Sequence, residues 1–368
     1  MTRRTLEIES LVDFDHYIDG AARLNGWFVQ SVDLTDRAPQ LAQADPRGAV
    51  FLGCRFTPET ETHLRQRGAL LFPRLPQFPF DPYRPRLYDA IELYGRGRYE
   101  DSADAAVYAW SQAVTPTPTV QHTLAAALHD HSVSDALDDA MRGVDERTVV
   151  GVMGGHALVR GEPSYREAVD LGSRLRAAGR TVLTGGGPGA MEAANLGAYL
   201  SPWPDAIDEA VAMLAEVTSY RPDIQRWLEV ALNVRDRWPA QQAGHSVGIP
   251  TWFYGHEPTN VFATEIAKYF ANALREDTLL HRCRGGIIYL SGQAGTIQEI
   301  FQAATENFYA ASPAQIAPLV LVGVDYWTQR YPAYPLLHKL ARGRSMAAAV
   351  HCVDTVDEAC ALVLQPLP

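Results

Sequence analysis

The chemistry-bearing pattern of this chain lies in residues 286–305, Gly-Ile-Ile-Tyr-Leu-Ser-Gly-Gln-Ala-Gly-Thr-Ile-Gln-Glu-Ile-Phe-Gln-Ala-Ala-Thr. The apolar run Ile287 to Leu290 reads as a buried strand and Ser291 to Thr296 as a turn of small residues. Ile297, Ile300 and Phe301 then begin a helical pattern. A strand that feeds a glycine-containing turn and a helix N-terminus aims free N–H groups at one point, with the positive end of the helix dipole behind them. Such a point binds anions, phosphate most often. Glu299 is expected in the first turn of that helix, close to whatever carries the phosphate. Thr296-x-x-Glu299 also has capping-box spacing, which helix initiation alone would explain.

A second turn of the same grammar lies upstream. Thr181 to Thr184 is a short strand, Gly185-Gly186-Gly187-Pro188-Gly189 a turn, and Ala190-Met191-Glu192-Ala193-Ala194 a helix start. Gly186, Gly187 and Gly189 let a ligand approach the backbone, although a tight strand–helix crossing would also need glycine. Met191 suits core packing as well as ligand contact. Gly154 and Gly155 follow a strand-like run, Thr148 to Met153, and are grouped with the nucleotide-binding candidates. His256 and Asn260 follow a third strand, Val247 to Phe253, and are candidates for contact with base or ribose. Asn260 equally suits the N-cap of a helix expected from about Val261 to Leu274. Parallel strands would place all these turns, and His156 of the first one, along one edge of a sheet.

The elements that must position these residues alternate strand and helix from residue 148 onward. Ser164 to Glu167 reads as a capping box opening a helix that stops at Gly179. Residues 201–245 interrupt the rhythm with a helical insertion. Strands at 318–323 and 348–353, each followed by a helix, complete the series. The expected fold class is α/β: a Rossmann-like parallel sheet with helices on both faces, plus a smaller N-terminal α/β domain. Thr115-Pro116-Thr117-Pro118-Thr119 reads as a linker, which sets an N-terminal domain at 1–145 and a second domain at 146–368. The helix after the linker could pack on either. Before it, 48–53 and 68–72 read as strands, and the proline- and aromatic-rich stretch Phe72 to Tyr94 reads either as a packed irregular strap or as a docking surface. No internal sequence repeat is expected.

The chain has 368 residues, 47% hydrophobic and 20% charged, with a formal net charge of −11. That balance fits a soluble globular protein and argues against a nucleic-acid polymer or a membrane surface as partner. The four cysteines lack metal-ligand spacing, so no metal is expected, and a reduced cytoplasmic setting fits them. There is no signal-peptide pattern and no transmembrane-length apolar run. The first βα turn is not G-x-G-x-x-G, and neither a P-loop, a zinc motif nor a G-x-S-x-G elbow is present.

Residues 185–194 and 291–299 resemble the two signatures of the LOG (lonely guy) family, roughly G-G-G-x-x-G-x-M and P-G-G-x-G-T-x-x-E. The resemblance covers about residues 147–365 and extends to the larger bacterial relatives with an N-terminal extension. It implies a dimer or higher homo-oligomer on a Rossmann-like fold, with no cofactor. The implied activity is hydrolysis of the N-glycosidic bond of a nucleoside 5′-monophosphate to free base and ribose 5-phosphate. It further implies a phosphate cradle at Gly292, Gln293, Ala294, Gly295 and Thr296, and a motif glutamate at Glu299. The family arginine falls on Arg275, with Arg282 and Arg284 as alternatives. Arg275 could also simply stabilise a helix C-terminus. Ser291 stands where the family has Pro, and Gln293 where it has Gly. A positive φ at Gln293 would cost about 1 kcal/mol. The alternative function is a non-catalytic nucleotide-binding sensor or carrier.

Overall fold

Three glycines with left-handed backbone, Gly26, Gly48 and Gly68 (φ 85°, 77° and 90°), set the pattern of the N-terminal part. In each case an L side chain would be strained, so glycine lets the chain turn sharply into the strand that follows. Those strands are β2 (Trp27–Gln30), β3 (Val50–Leu52) and β4 (Leu70–Phe72), preceded by β1 (Leu6–Ile8). They form a parallel sheet in sequence order. Phe28 lies opposite Val50 and Val50 opposite Leu70, so the three glycines stand in register. Gly26 N–H donates to the Gly48 carbonyl (3.1 Å) and Gly48 N–H to that of Gly68 (3.4 Å). The helices Leu11–Ile18, Ala38–Gln43 and Pro58–Gln66 return the chain from each strand to the next.

This computed structural model describes residues 6–252 and 257–365. The N-terminal unit is therefore a short solenoid-like parallel sheet whose strands follow one another in sequence order. The repeat resides in backbone conformation, with little identity between side chains. Its core is Phe14, Leu24, Val29, Leu41, Phe51 and Leu64, all fully buried. Met1–Leu87 and Ala113–Ala140 make one compact unit, and Tyr88–Gln112 and Met141–Pro368 make the other. The helix Val120–Ala140 belongs to the first unit.

Among the described residues, the second unit is built on seven parallel strands: β5 (Val149–Met153), β6 (Thr181–Thr184), β7 (Ser246–Gly248), β8 (Glu265–Ile266), β9 (Gly286–Tyr289), β10 (Leu319–Val322) and β11 (Val350–Val353). Their order is β11-β10-β9-β5-β6-β7-β8. Every residue of β5 and β9 is buried, as helices on both faces require. The order reverses between β5 and β9, which pair in parallel with Met153 opposite Tyr289. A parallel sheet binds ligands in the crevice beyond such a switch point. The fold is α/β and Rossmann-like, as expected.

Within this unit, helix Pro163–Ala177 lies very close to helix Ala190–Tyr199. A Cβ on Gly172 would sit 2.1 Å from the Ala194 carbonyl oxygen, and one on Gly197 1.8 Å from that of Val169. The residues 201–245 carry two helices, Ile207–Leu214 and Ile224–Arg237. Residues 88–112 border the far edge of the sheet, where Tyr88 and Ile266 exchange backbone hydrogen bonds of 2.9 Å.

Two local expectations are corrected. The helix read at Val261–Leu274 is absent. Residues 257–271 are irregular apart from β8, and the helix runs from Asn272 to Arg282. Asn260 does accept from the N–H groups of Phe262 and Ala263, as an N-cap would, but the chain then enters β8 and no helix follows. The other correction concerns helix Pro163–Ala177, which starts on Pro163 after Glu162 with no side-chain cap. Proline at the first helical position is preorganised for that role. Its end matches expectation, with Gly179 left-handed (φ 78°) and Arg180 N–H donating to the Leu175 carbonyl.

Candidate functional site

The turn after β9 is organised by where its carbonyls are held. Gly155 N–H donates to the Ser291 carbonyl (2.9 Å), and the Tyr326 hydroxyl donates to the Gly292 carbonyl (2.7 Å). Both oxygens are thereby kept occupied by donors. The helix Ala294–Tyr309 then begins at Gln293 with no side-chain cap. The N–H groups of Ala294, Gly295 and Thr296 are the orphan donors of that first turn. Ala294 and Gly295 are exposed, and Gly292 and Thr296 are buried. A Cβ on Gly292 would lie 2.1 Å from Thr296 Oγ1, so the hydroxyl folds back over the glycine.

Gln293 has φ −118° and ψ −137°. Its backbone is not left-handed, so the departure from glycine carries none of the strain expected of it. The carbonyl of Ser291 performs the contact to Gly155, which needs no particular side chain.

Glu299 lies in the second turn of its helix, not the first. The capping box is not formed: Thr296 turns onto Gly292, and the carboxylate of Glu299 faces Arg275. Arg275 Nη1 is 3.4 Å from Glu299 Oε1, and each side chain is only 10% exposed. Arg275 sits in the first turn of helix Asn272–Arg282, so the reading of a cation at a helix C-terminus is corrected. Its Nη1 is also 3.9 Å from Glu276 Oε1, and its Nε has no hydrogen-bond partner among the described residues. Burial pushes the Glu299 carboxyl up to about 7, against the opposing charge of Arg275 and with the help of Glu276.

The glycine turn after β6 stands on the other side of Arg275. A Cβ on Gly185 would meet Arg275 Nη2 at 3.4 Å and Met191 Sδ at 2.8 Å. Met191 also lies 2.8 Å from such a Cβ on Gly187, so it packs along the inside of the turn. Gly186 and Gly189 are left-handed (φ 69° and 71°). A Cβ on Gly186 would strike Pro250 at 2.7 Å, and one on Gly189 the Gly155 carbonyl at 2.5 Å. Gly154 is equally constrained, with Ala190 Cβ 2.7 Å from its own missing Cβ. The structure thus brings together the turns at Gly154–Gly155, Gly185–Gly189 and Ser291–Thr296, with Arg275 and Glu299 between the last two.

Asn260 is not brought into the opening. It is fully buried, and its amide donates to the Gly187 carbonyl (3.1 Å) and to Asn195 Oδ1 (3.0 Å). Its own oxygen accepts from the N–H groups of Phe262 and Ala263. Asn260 positions the glycine turn from behind. His256 lies outside the described residues.

Sequence reasoning missed four contributors. Tyr326 stands in a short π-helical turn, Tyr326–Arg330, that no periodicity announces. Glu276 adjoins Arg275 in the chain but belongs to no motif. Glu257 places Oε1 3.1 Å from His156 Nδ1, with its other oxygen 3.9 Å from a Cβ on Gly187. Finally, Arg160 forms a buried pair with Glu192, its Nε 2.9 Å from Oε2, and lies 4.3 Å over the Trp227 ring. This pair and Tyr220 line a pocket of about 150 Å³ beside Gly189 and His156. The G-G-G-x-G-x-M-E spelling of 185–192 could have flagged Glu192, but nothing local pointed to Arg160.

Among the described residues there is no cluster of His, Cys, Asp or Glu able to hold a metal ion, and no helix is long and apolar enough to cross a membrane. The four cysteines are free; Cys54, Cys283 and Cys360 are buried and Cys352 is half-buried.

No protein-family model matches the chain, and no curated protein matches it. Among solved structures, the molybdenum cofactor binding protein from the phototrophic bacterium Rippkaea orientalis is similar at 18% identity and a TM-score of 0.36, over 58% of this chain and 94% of that one. The molybdenum cofactor carrier protein of Chlamydomonas reinhardtii has the same identity, TM-score and coverage. A structural-genomics target, TM1055, is similar at 20% identity and a TM-score of 0.37, over 59% of this chain and 99% of that one.

Proposed function

We propose that this chain hydrolyses the N-glycosidic bond of nucleoside 5′-monophosphates, releasing free base and ribose 5-phosphate. The observation that carries the reading is the Arg275–Glu299 pair, held between two glycine turns beside the sheet's switch point. It is a carboxylate next to an anion turn, which a phosphosugar needs and a helix cap does not. The resemblance of 185–194 and 291–299 to the LOG signatures supports the same reading.

In this mechanism the phosphate docks on the N–H groups of Ala294, Gly295 and Thr296, where the dipole of a 16-residue helix favours negative charge. That remote binding energy places C1′ of the ribose beside Glu299. As the C1′–N bond breaks, positive charge grows on the sugar ring, and the ionised carboxylate stabilises it. Water supplies the new C1′–O bond, and its proton ends on the departing base. Arg275 orients the carboxylate and favours its ionised form, in part offsetting burial. A homodimer or higher oligomer and a nucleoside monophosphate as ligand belong to this proposal.

One observation favours a second reading, a nucleotide sensor or carrier: a Glu299 carboxyl raised to about 7 is half protonated at neutral pH. A panel of nucleotides and nucleosides incubated with the purified chain, followed by chromatography for free base, separates the two. Base release from monophosphates, and much less from nucleosides, is expected. Binding without release would establish the carrier, and equal rates for adenosine and its monophosphate would remove the phosphate anchor.

A further inference from the structure

The proline-rich stretch after β4 closes over a cavity of about 630 Å³ lined entirely by the N-terminal unit. Its floor is the carboxyl end of β2 and β3. There Ser31 and Gly53, in register on consecutive coils, both hold left-handed backbone (φ 56° and 61°). Ser31 is a rare place for such a conformation, which costs about 1 kcal/mol or more without glycine. Its hydroxyl secures it by donating to the Tyr83 carbonyl (3.0 Å). The Tyr83 ring fills the space above Gly53, 2.5 Å from where a Cβ would stand, and its hydroxyl donates to the Pro73 carbonyl (2.8 Å). From outside, Ser132 Oγ donates to the Pro82 carbonyl (3.0 Å), and Phe80 meets the His129 ring edge-on at 5.3 Å. The walls are fixed on several sides.

The polar groups on this cavity are unequally satisfied. Asp33 accepts from the N–H and hydroxyl of Thr35, and Asp81 accepts from Tyr83 N–H (2.9 Å). The carboxylates are thus occupied by local donors. Arg55 reaches Asp33 only at 3.5 Å, with both side chains more than half exposed, a pairing worth little. Arg74 is exposed and makes no ion pair among the described residues. The two guanidinium forks, Arg74 without an ion pair and Arg55 in a loose one, match carboxylate or phosphate oxygens. Beside them stand the prolines of the strap and Phe78, whose ring meets Phe80 at 5.6 Å and His122 edge-on at 6.2 Å, an aromatic cluster that a flat ring can extend.

We infer that the N-terminal unit carries its own binding site for a small organic anion, a carboxylate or phosphate attached to an aromatic or heteroaromatic ring. Arg55 and Arg74 take the anionic end, and Phe78 takes the ring. The cavity volume is in the range that holds such molecules.

Calorimetric titration of the full chain tests this, in a Gly292→Ala background that weakens the anion turn of the other unit, so that a loss of affinity on Arg74→Ala assigns the binding to the N-terminal unit. The probes are adenosine 5′-monophosphate and 1-naphthoate. One equivalent of at least one probe should bind. Arg74→Ala should weaken it about tenfold or more, the value of a lost charge-assisted hydrogen bond, and Phe78→Ala should weaken it as well. Binding of naphthoate alone identifies a carboxylate ligand, and binding of the nucleotide identifies a phosphate one. Arg74 is exposed, so its replacement leaves the fold intact. Failure of both probes to bind below millimolar concentration, or affinity unchanged in both Arg55→Ala and Arg74→Ala, overturns the inference. Because the readout is binding in the N-terminal unit, absence of base release from nucleotides would leave the result untouched.

Discussion

Arg275 Nη1 lies 3.4 Å from Glu299 Oε1 in a setting where both side chains are almost wholly buried. A charged pair so placed is costly to desolvate, and removing one partner leaves the other uncompensated. Here the compensation is incomplete. Glu276 adds a second carboxylate near the same guanidinium, and the Glu299 carboxyl rests at about 7. The site therefore holds a group poised to change charge near neutrality, in the environment that functional carboxylates share.

The first consequence is a pH profile for the proposed hydrolysis. If the ionised carboxylate stabilises the ribosyl cation, the rate constant kcat should rise with pH through about 7 and level off above it. Glu299→Gln should lower base release by about 100-fold or more, the usual scale for a positioned acid or base. Near-normal turnover in the Glu299→Gln variant, measured by chromatography of the released base, would take Glu299 out of the mechanism.

The same shift acts on stability with the opposite sense. The folded carboxyl titrates at about 7 and the unfolded one at about 4.5. Between those values the native state binds the extra proton, so stability falls as pH rises. The contribution is fully present below pH 4.5 and lost above pH 7, on the order of 3 kcal/mol by the usual conversion. Glu299→Gln should flatten this part of the profile. Urea denaturation at pH 5, 6, 7 and 8 measures it. A wild-type profile that rises across that window, with the variant parallel to it, would contradict the assignment.

Arg275→Ala should act through Glu299. Without the guanidinium, burial and Glu276 both push the carboxyl higher, so the midpoint of the kcat profile should move above 7. The maximal rate should drop by about tenfold or more as well. Comparing pH profiles, with circular dichroism as a check on folding, separates this from simple destabilisation. An unchanged midpoint with a lower rate would mean that Arg275 acts on the ligand alone.

Much of this site was legible in the sequence because its geometry is local. Gly286 to Glu299 is one strand–turn–helix, and the order of small and apolar residues specifies it. Arg275 could be placed only through the family motif, since 24 residues separate it from its partner. The start of its helix is hidden because Val261 to Leu274 has helical composition throughout. Tertiary contacts override that composition: Asn260 binds the Gly187 carbonyl, and Tyr88 draws Ile266 into an edge bridge. The solenoid is illegible for a different reason. Its coils share left-handed positions at Gly26, Gly48 and Gly68, while the residues between them satisfy only a loose requirement to be apolar. A repeat of backbone angles leaves a faint trace in residue types.

The last prediction concerns the phosphate anchor. A Cβ on Gly292 would stand 2.1 Å from Thr296 Oγ1 and 2.6 Å from Thr296 Cβ. Neither position is the end of a long flexible side chain, so Gly292→Ala must displace the Thr296 side chain or the turn itself. Displacement disturbs the N–H groups that converge on the anion but leaves Glu299, one helical turn deeper, where it is. The KM for a nucleoside monophosphate should therefore rise by about tenfold or more, while the slow rate on the matching nucleoside stays as it was. Thr296→Ser keeps the hydroxyl and should stay close to the unaltered chain. The ratio of kcat/KM for nucleotide to that for nucleoside is the quantity to measure. It should collapse in Gly292→Ala, and a ratio that survives would show that the phosphate is bound elsewhere.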